Sequence, residues 1–211
     1  MIYYFMKCIY CEHPYTYILG NKQRKCSKCK RKFSPKKLLR ESLLWDCFYR
    51  ENTISETCLS TGMHFVTVQK YFDNFRKQVA VESDNLYQLN SHRIRDYEEY
   101  MYLPKTLRPD EHIEKVKHFL TLAYDKKVYN LMMPSVGRLG LDISDRDDRK
   151  LLKKYLKYSI VSKISTQRST IRNFWDYFEN FILKYKGVSD EQFVYYLKEA
   201  EWRFNTLAMK S

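Results

Sequence analysis

Glycine is scarce in this chain. Five residues of 211 are glycine, each standing alone, so no glycine-rich loop is present to cradle a nucleotide phosphate. Histidine is equally thin: His13, His64, His92, His112 and His118 form no H-x3-H or comparable pair, and a histidine metal site is not indicated. No stretch approaches the roughly 18 uninterrupted apolar residues of a membrane span. The apolar start, residues 1–6, is too short for the hydrophobic region of a secretion signal. Neither a phosphate-loop enzyme nor a membrane protein is expected.

Cysteine, by contrast, is concentrated and spaced. Cys8 and Cys11 form one C-x2-C pair, Cys26 and Cys29 a second, with fourteen residues between. This is the ligand spacing of a structural four-cysteine zinc site. Each pair turns two thiolates toward one point, and Lys7, Lys25, Lys28 and Lys30 beside them favour the ionised form. Residues 15–22 read as strand, Gly20-Asn21 turn and strand, so 1–34 is expected to be a small β zinc ribbon. Two disulfides or a rubredoxin-type iron would use similar spacing. A Lys-rich chain without a secretion signal points to a reducing compartment, and electron carriers are rarely this basic. Cys47 and Cys58 are left over as buried free thiols.

The formal charge of +13 is unevenly placed. Residues 1–50 hold twelve Lys/Arg against three acids, whereas 51–100 hold five against eight. A basic head implies a polyanionic partner, bound through phosphate contacts and counterion release. The expected footprint runs over 22–37 and includes Lys22, Arg24, Lys25, Lys28, Lys30, Arg31 and Lys32. With 44% apolar and 16% aromatic residues, the rest has the composition of a folded core.

Ser34 followed by Pro35 signals a helix start. A helix of about four turns follows, with Leu38, Leu39, Leu43, Trp45, Phe48 and Tyr49 as its apolar surface. A short helix over 54–59, a turn at Ser60-Thr61-Gly62 and a third helix over about 64–80 complete a helix-turn-helix pattern across 35–81. Its last helix would enter the major groove of double-stranded DNA with His64, Thr67, Gln69 and Lys70 at the bases or phosphates. An ordinary three-helix bundle would show the same pattern. Residues 82–95 are polar and poorly periodic and read as a linker. From 96 on, strands are expected over 96–103, 116–124 and 127–133, the last two joined by an Asp125-Lys126 turn. An acidic loop (142–148), a helix (149–158), a strand (160–164) and two helices (from 170, and 193–205) follow. Strands and then helices give an α/β domain over 96–211.

The closing run N-F-W-D-Y-F (173–178), K-G-V (186–188) and Y-L-K-E-A-E-W-R-F-N (196–205) resembles the end of certain bacterial insertion-sequence transposases. That family also carries a zinc ribbon ending in a C-x2-C-x3-F-S segment, here Cys26 to Ser34. The resemblance implies a multidomain chain of zinc ribbon, all-α helix-turn-helix and ribonuclease-H-like domain. It further implies DNA transposition, a cytoplasmic nucleoid-associated location, a homodimer on double-stranded DNA and no membrane partner. Structural Zn²⁺ and, for an active enzyme, Mg²⁺ are the implied cofactors.

Strand transfer in that family needs three acids holding two divalent ions, which activate the attacking oxygen and stabilise the leaving one. The segment matching the first acid contains Glu98 and Glu99, and these are the catalytic candidates. The second acid has no Asp-Gly counterpart here, though Asp142, Asp145, Asp147 and Asp148 are nearby. The third position falls on Arg172, beside Asn173, and arginine cannot ligate Mg²⁺. The domain is also shorter than usual. The acidic centre therefore reads as degraded, leaving either a transposase-like DNA-binding protein or a catalytically inactive, transposase-derived regulator. Trp175 and Phe178 are expected in the core, and Glu199 with Arg203 as a helix-surface ion pair.

Overall fold

The structure, a computed structural model, describes residues 6–103, 116–133 and 170–208. It divides into two compact units, Met1–Phe75 and Arg76–Ser211.

The first unit opens with a three-stranded antiparallel sheet, β1 (Thr16–Ile18), β2 (Arg24–Cys26) and β3 (Lys32–Phe33), in that spatial order. Lys22 N–H donates to the Leu19 carbonyl at 2.9 Å and Leu19 N–H to the Gln23 carbonyl at 2.8 Å. Lys22 is left-handed, with φ 62°. The expected Gly-Asn turn is thus a three-residue loop with a bulge, and β2 starts only at Arg24.

Helix α1 (Pro35–Tyr49) begins as its sequence predicts: Ser34 Oγ accepts from Lys37 N–H at 3.3 Å, and Pro35 needs no partner for a missing N–H. Helix α2 (Ile54–Thr61) starts in a capping box, Glu56 accepting from Thr53 N–H at 2.6 Å and Thr53 Oγ1 from Glu56 N–H at 3.3 Å. Gly62, at φ 68°, ends α2 in a conformation that glycine adopts without steric cost. Helix α3 (Phe65–Asn90) follows at once. Leu44 and Phe48 of α1 and Val68 and Phe72 of α3 are all buried, and Phe48 and Phe72 meet edge to face at 5.3 Å. Leu39 and Leu43 differ from expectation, because both are about half exposed.

The polar run expected as a linker is helical. Residues 82–90 continue α3, and Ser91–Arg93 form a 3-10 turn. Val79, Ser83 and Tyr87 recur at i, i+4 and i+8. The first two are buried, and Tyr87 stacks on Tyr129 with ring centres 3.9 Å apart. One face of this stretch therefore belongs to the second unit's interior although its sequence looks solvated.

That unit contains a second antiparallel sheet, β4 (Asp96–Tyr102), β5 (Lys117–Tyr124) and β6 (Lys127–Met132), again in sequence order. Asp125 and Lys126, with φ 44° and 64°, form the two-residue turn whose twist suits a hairpin. Helices α4 (Thr170–Ile182) and α5 (Asp190–Ala208) supply the cover. Tyr100 lies flat on Trp175 at 3.7 Å and Tyr102 meets Phe178 edge-on at 5.5 Å, so the face of β4 carrying 98, 100 and 102 looks toward α4. Trp175 and Phe178 are core residues, as expected. Small sheets and helices in two units match the expected multidomain α/β layout at that level. The acidic loop 142–148, the helix 149–158 and the strand 160–164 lie outside the described residues. No helix among the described residues is long and apolar enough to cross a membrane.

Candidate metal centre and nucleic-acid interface

Two similar knuckles build the cysteine centre. Cys8 N–H donates to the His13 carbonyl at 2.9 Å, and Cys26 N–H to the Arg31 carbonyl at 3.0 Å. Each C-x2-C pair is followed directly by a left-handed residue, Glu12 at φ 55° and Lys30 at φ 60°. The N–H two residues on points at the leading sulfur, Tyr10 at Cys8 (3.4 Å) and Lys28 at Cys26 (3.3 Å). The sulfurs of Cys8 and Cys29 stand 3.5 Å apart, those of Cys11 and Cys26 3.6 Å, and all four ligand atoms lie within 4.8 Å of one another. A tetrahedron with Zn–S bonds of about 2.3 Å has edges of about 3.8 Å, so the quartet fits a Zn²⁺ ion. All four thiols are free, which removes the disulfide alternative.

The thiols also divide their protons unequally. Burial pushes Cys26 up, but the N–H groups of Cys29 and Lys28 and the thiols of Cys11 and Cys29 pull it down to about 6. Cys29 is favoured as thiolate by Arg31 N–H, yet burial and the other thiols push it up to about 11. Backbone amides and neighbouring thiols, rather than the expected lysines, lead this tuning. A metal taking four thiolates would displace the remaining protons.

Of the expected ribbon cations, Lys22, Lys28, Lys30, Arg31 and Lys32 are exposed and Lys25 is half-buried. Arg24 is a correction. It is only 4% exposed, and it donates from Nε to Thr16 Oγ1 at 2.8 Å and from Nη2 to the Thr16 carbonyl at 3.1 Å. On β2 it alternates inward with Cys26, so its charge braces the ribbon instead of facing a phosphate.

His64 precedes α3 and caps it, its carbonyl accepting from Thr67 N–H at 2.9 Å and its Nδ1 from Val66 N–H at 3.4 Å. His64 and Thr67 line an open groove of about 440 Å³ together with Met63 and with Lys36, Leu39, Arg40 and Leu43 of α1. Lys70 is exposed and Gln69 half-buried. Reading α1 for its apolar surface missed Lys36 and Arg40 as groove residues. Their i, i+4 spacing, each three places before Leu39 and Leu43 and so on the same side of the helix, was the available signal.

The acidic candidates do not converge. Glu98 and Glu99 are successive residues of β4 and project to opposite faces. Glu98 shares the face of Tyr100 and Tyr102, whereas Glu99 Oε2 lies 3.2 Å from Nε2 of buried His118. One ion cannot be held by both. Arg172 sits half-buried in the first turns of α4 and Asn173 is exposed beside it. Among the described residues, the four cysteines are the cluster suited to a metal.

The terminal motif has a different use. Glu199 and Arg203 pair at 2.7 Å as expected, but the pair is buried, not on a helix surface, and Arg76 Nε reaches the second carboxylate oxygen at 2.8 Å. Glu201 Oε2 accepts from the Asn130 N–H at 2.7 Å and from Asn130 Nδ2 at 2.9 Å, while Ser83 and Lys198 bind Oε1. Burial raises the Glu201 pKa, opposed by Lys198, Ser83 and Asn130. Asn205 accepts from Val128 N–H and donates to the Val128 carbonyl, both at 2.8 Å. Glu201 and Asn205 are one helical turn apart, about 6 Å, close to the two-residue step along β6. Their side chains thus occupy the outward backbone groups of β6, the outer strand of this sheet among the described residues, where another strand would pair. The bonds continue through Asn130 to Thr121 Oγ1 (2.8 Å) and on to Trp175 Nε1 (3.0 Å). Asn130, a polar residue inside an apolar strand, was the sequence signal for this network.

Over 41 residues this chain is 46% identical to an uncharacterized transposase-like protein of Haemophilus influenzae, a match that covers 19% of this chain and 33% of that protein. The chain therefore spans about a third of the length of the curated relative it matches. No family model matches the chain, and no solved structure does.

Proposed function

We propose that this chain is a double-stranded-DNA-binding protein of the insertion-sequence transposase type, with a structural Zn²⁺ in its ribbon and an incomplete strand-transfer centre. The carrying observation is the four-thiol cluster set inside the most basic fifty residues. Exposed Lys22, Lys28, Lys30, Arg31 and Lys32 around it supply a phosphate-binding surface. The short helix, Gly62 turn and long helix support a helix-turn-helix, with Lys36, Arg40, His64 and Thr67 at the groove. The β4–β6 sheet with α4 and α5 supports a ribonuclease-H-like reading of the remainder, and the partial likeness to a transposase-like protein agrees with it. Opposed Glu98 and Glu99, together with Arg172 in place of an acid, favour loss of strand transfer and hence the regulator reading.

Two measurements test this. Fluorescence anisotropy on duplex DNA should show binding that weakens steeply with salt and is lost on chelation or in Cys26→Ser. Salt-independent binding would overturn the electrostatic footprint. In a labelled-duplex cleavage assay with Mg²⁺ or Mn²⁺, no product is expected. Cleavage lost in both Glu98→Gln and Glu99→Gln would restore the enzyme reading.

A further inference from the structure

The ribbon sheet has two unlike faces. Thr16, Arg24, Cys26 and Phe33 point inward toward the sulfur centre. On the other face, Tyr17 stands directly across from Lys25, and Lys25 across from Lys32. Tyr15 lies one residue before β1, and its carbonyl accepts from Ser27 N–H at 3.2 Å, which extends the pairing past Thr16 and puts Tyr15 two residues from Tyr17 on the same side. The tyrosines are 68% and 45% exposed, a large apolar area to leave in water on so small a sheet. Tyr15 is steadied by the edge of His13 at 5.7 Å, and at the β3 side the Arg31 guanidinium lies over the Tyr10 ring at 5.1 Å.

Aromatic rings interleaved with cations are the chemistry that receives unpaired nucleic acid: the rings stack on bases and the cations follow the backbone. A duplex hides its base faces and offers the tyrosines nothing to stack on. Side chains at i and i+2 of a strand stand about 7 Å apart, twice the roughly 3.4 Å step between stacked bases, which gives each ring room for its own base. We propose that the outer face of the ribbon, through Tyr15, Tyr17, Lys25 and Lys32, binds single-stranded DNA. This rests on the reading of the chain as a DNA-binding protein and adds that one face of the ribbon, carrying the tyrosines, also takes unpaired strand, while the ribbon's other cations and the helices serve duplex.

The test uses the full zinc-loaded chain, with fluorescence anisotropy on labelled oligodeoxythymidine and on a duplex of equal length. The double variant Tyr15→Ala/Tyr17→Ala should weaken single-strand binding by about tenfold or more and duplex binding by less than about twofold. Tyr15→Phe/Tyr17→Phe, which keeps the rings, should restore the single-strand affinity. Equal losses on both probes, no loss on the single strand, or failure of the Phe variant at full zinc content would each overturn the proposal. Duplex binding by the wild type without single-strand binding would sink this inference alone. Binding of neither probe would sink the DNA-binding reading with it.

Discussion

Around the thiol quartet the buried side chains are few: Cys8, Cys26 and Phe33, backed by Met6 and Leu38. In the second unit, Phe119, Phe174, Trp175, Phe178, Phe181 and Leu197 belong to one continuous buried cluster, and two carboxylates are buried beside it with their cations. Peptide segments of about 40 residues rarely bury enough surface to fold unaided, so the ribbon's order depends on what its sulfurs hold. The other unit closes by ring packing and by matched internal charge. Each should therefore fail under a different stress.

Metal removal is the strongest separation. Chelation, or Cys26→Ser, should withdraw the about 10–16 kcal/mol that structural zinc lends a small fold. Proteolysis should then cut within 7–33 while near-ultraviolet dichroism from Trp175 and its neighbours persists. Simultaneous collapse of both signals would break the contrast. Next in size, Glu199→Ala removes the buried carboxylate bonded to both Arg76 and Arg203 and should cost the second unit about 3–5 kcal/mol in urea unfolding, with zinc content unchanged. Asn205→Ala removes two bonds to Val128 and should cost about 2 kcal/mol by the same measurement. The smallest effect is on pH dependence. Because folding raises the Glu201 pKa, the native state retains its proton more tightly than the unfolded chain. The stability this residue contributes is thus complete at acid pH and lost as pH climbs through the elevated value. Wild type should lose stability relative to Glu201→Gln across that window, and parallel curves would show that Glu201 does not titrate there.

Legibility in the sequence followed the range of the interactions. The knuckle spacing, the Ser34 start, the Gly62 bend and the Asp125-Lys126 hairpin are local devices, and each lies where the residues place it. The second half of α3 was hidden because hydrophobic periodicity does not register a buried serine, and Ser83 is buried against Glu201, 118 positions later. Glu199 and Arg203 read as a surface pair for the same reason: the third partner, Arg76, is 123 residues upstream. Arg24 looked like one more cation of a basic run, whereas the alternation of β2 turns it inward. Glu98 and Glu99 were candidates through the family resemblance of their segment, and the two-residue period of a strand separates them.

The capping of β6 by Glu201 and Asn205 bears on what happens when this polypeptide is cut short. A product ending before Glu201 would leave Val128 and Asn130 with bare peptide groups along an otherwise apolar strand. Such a product would be a template for sheet extension by its neighbours, so truncated copies should accumulate as insoluble aggregates even with Phe119, Phe174, Trp175 and Phe178 still present.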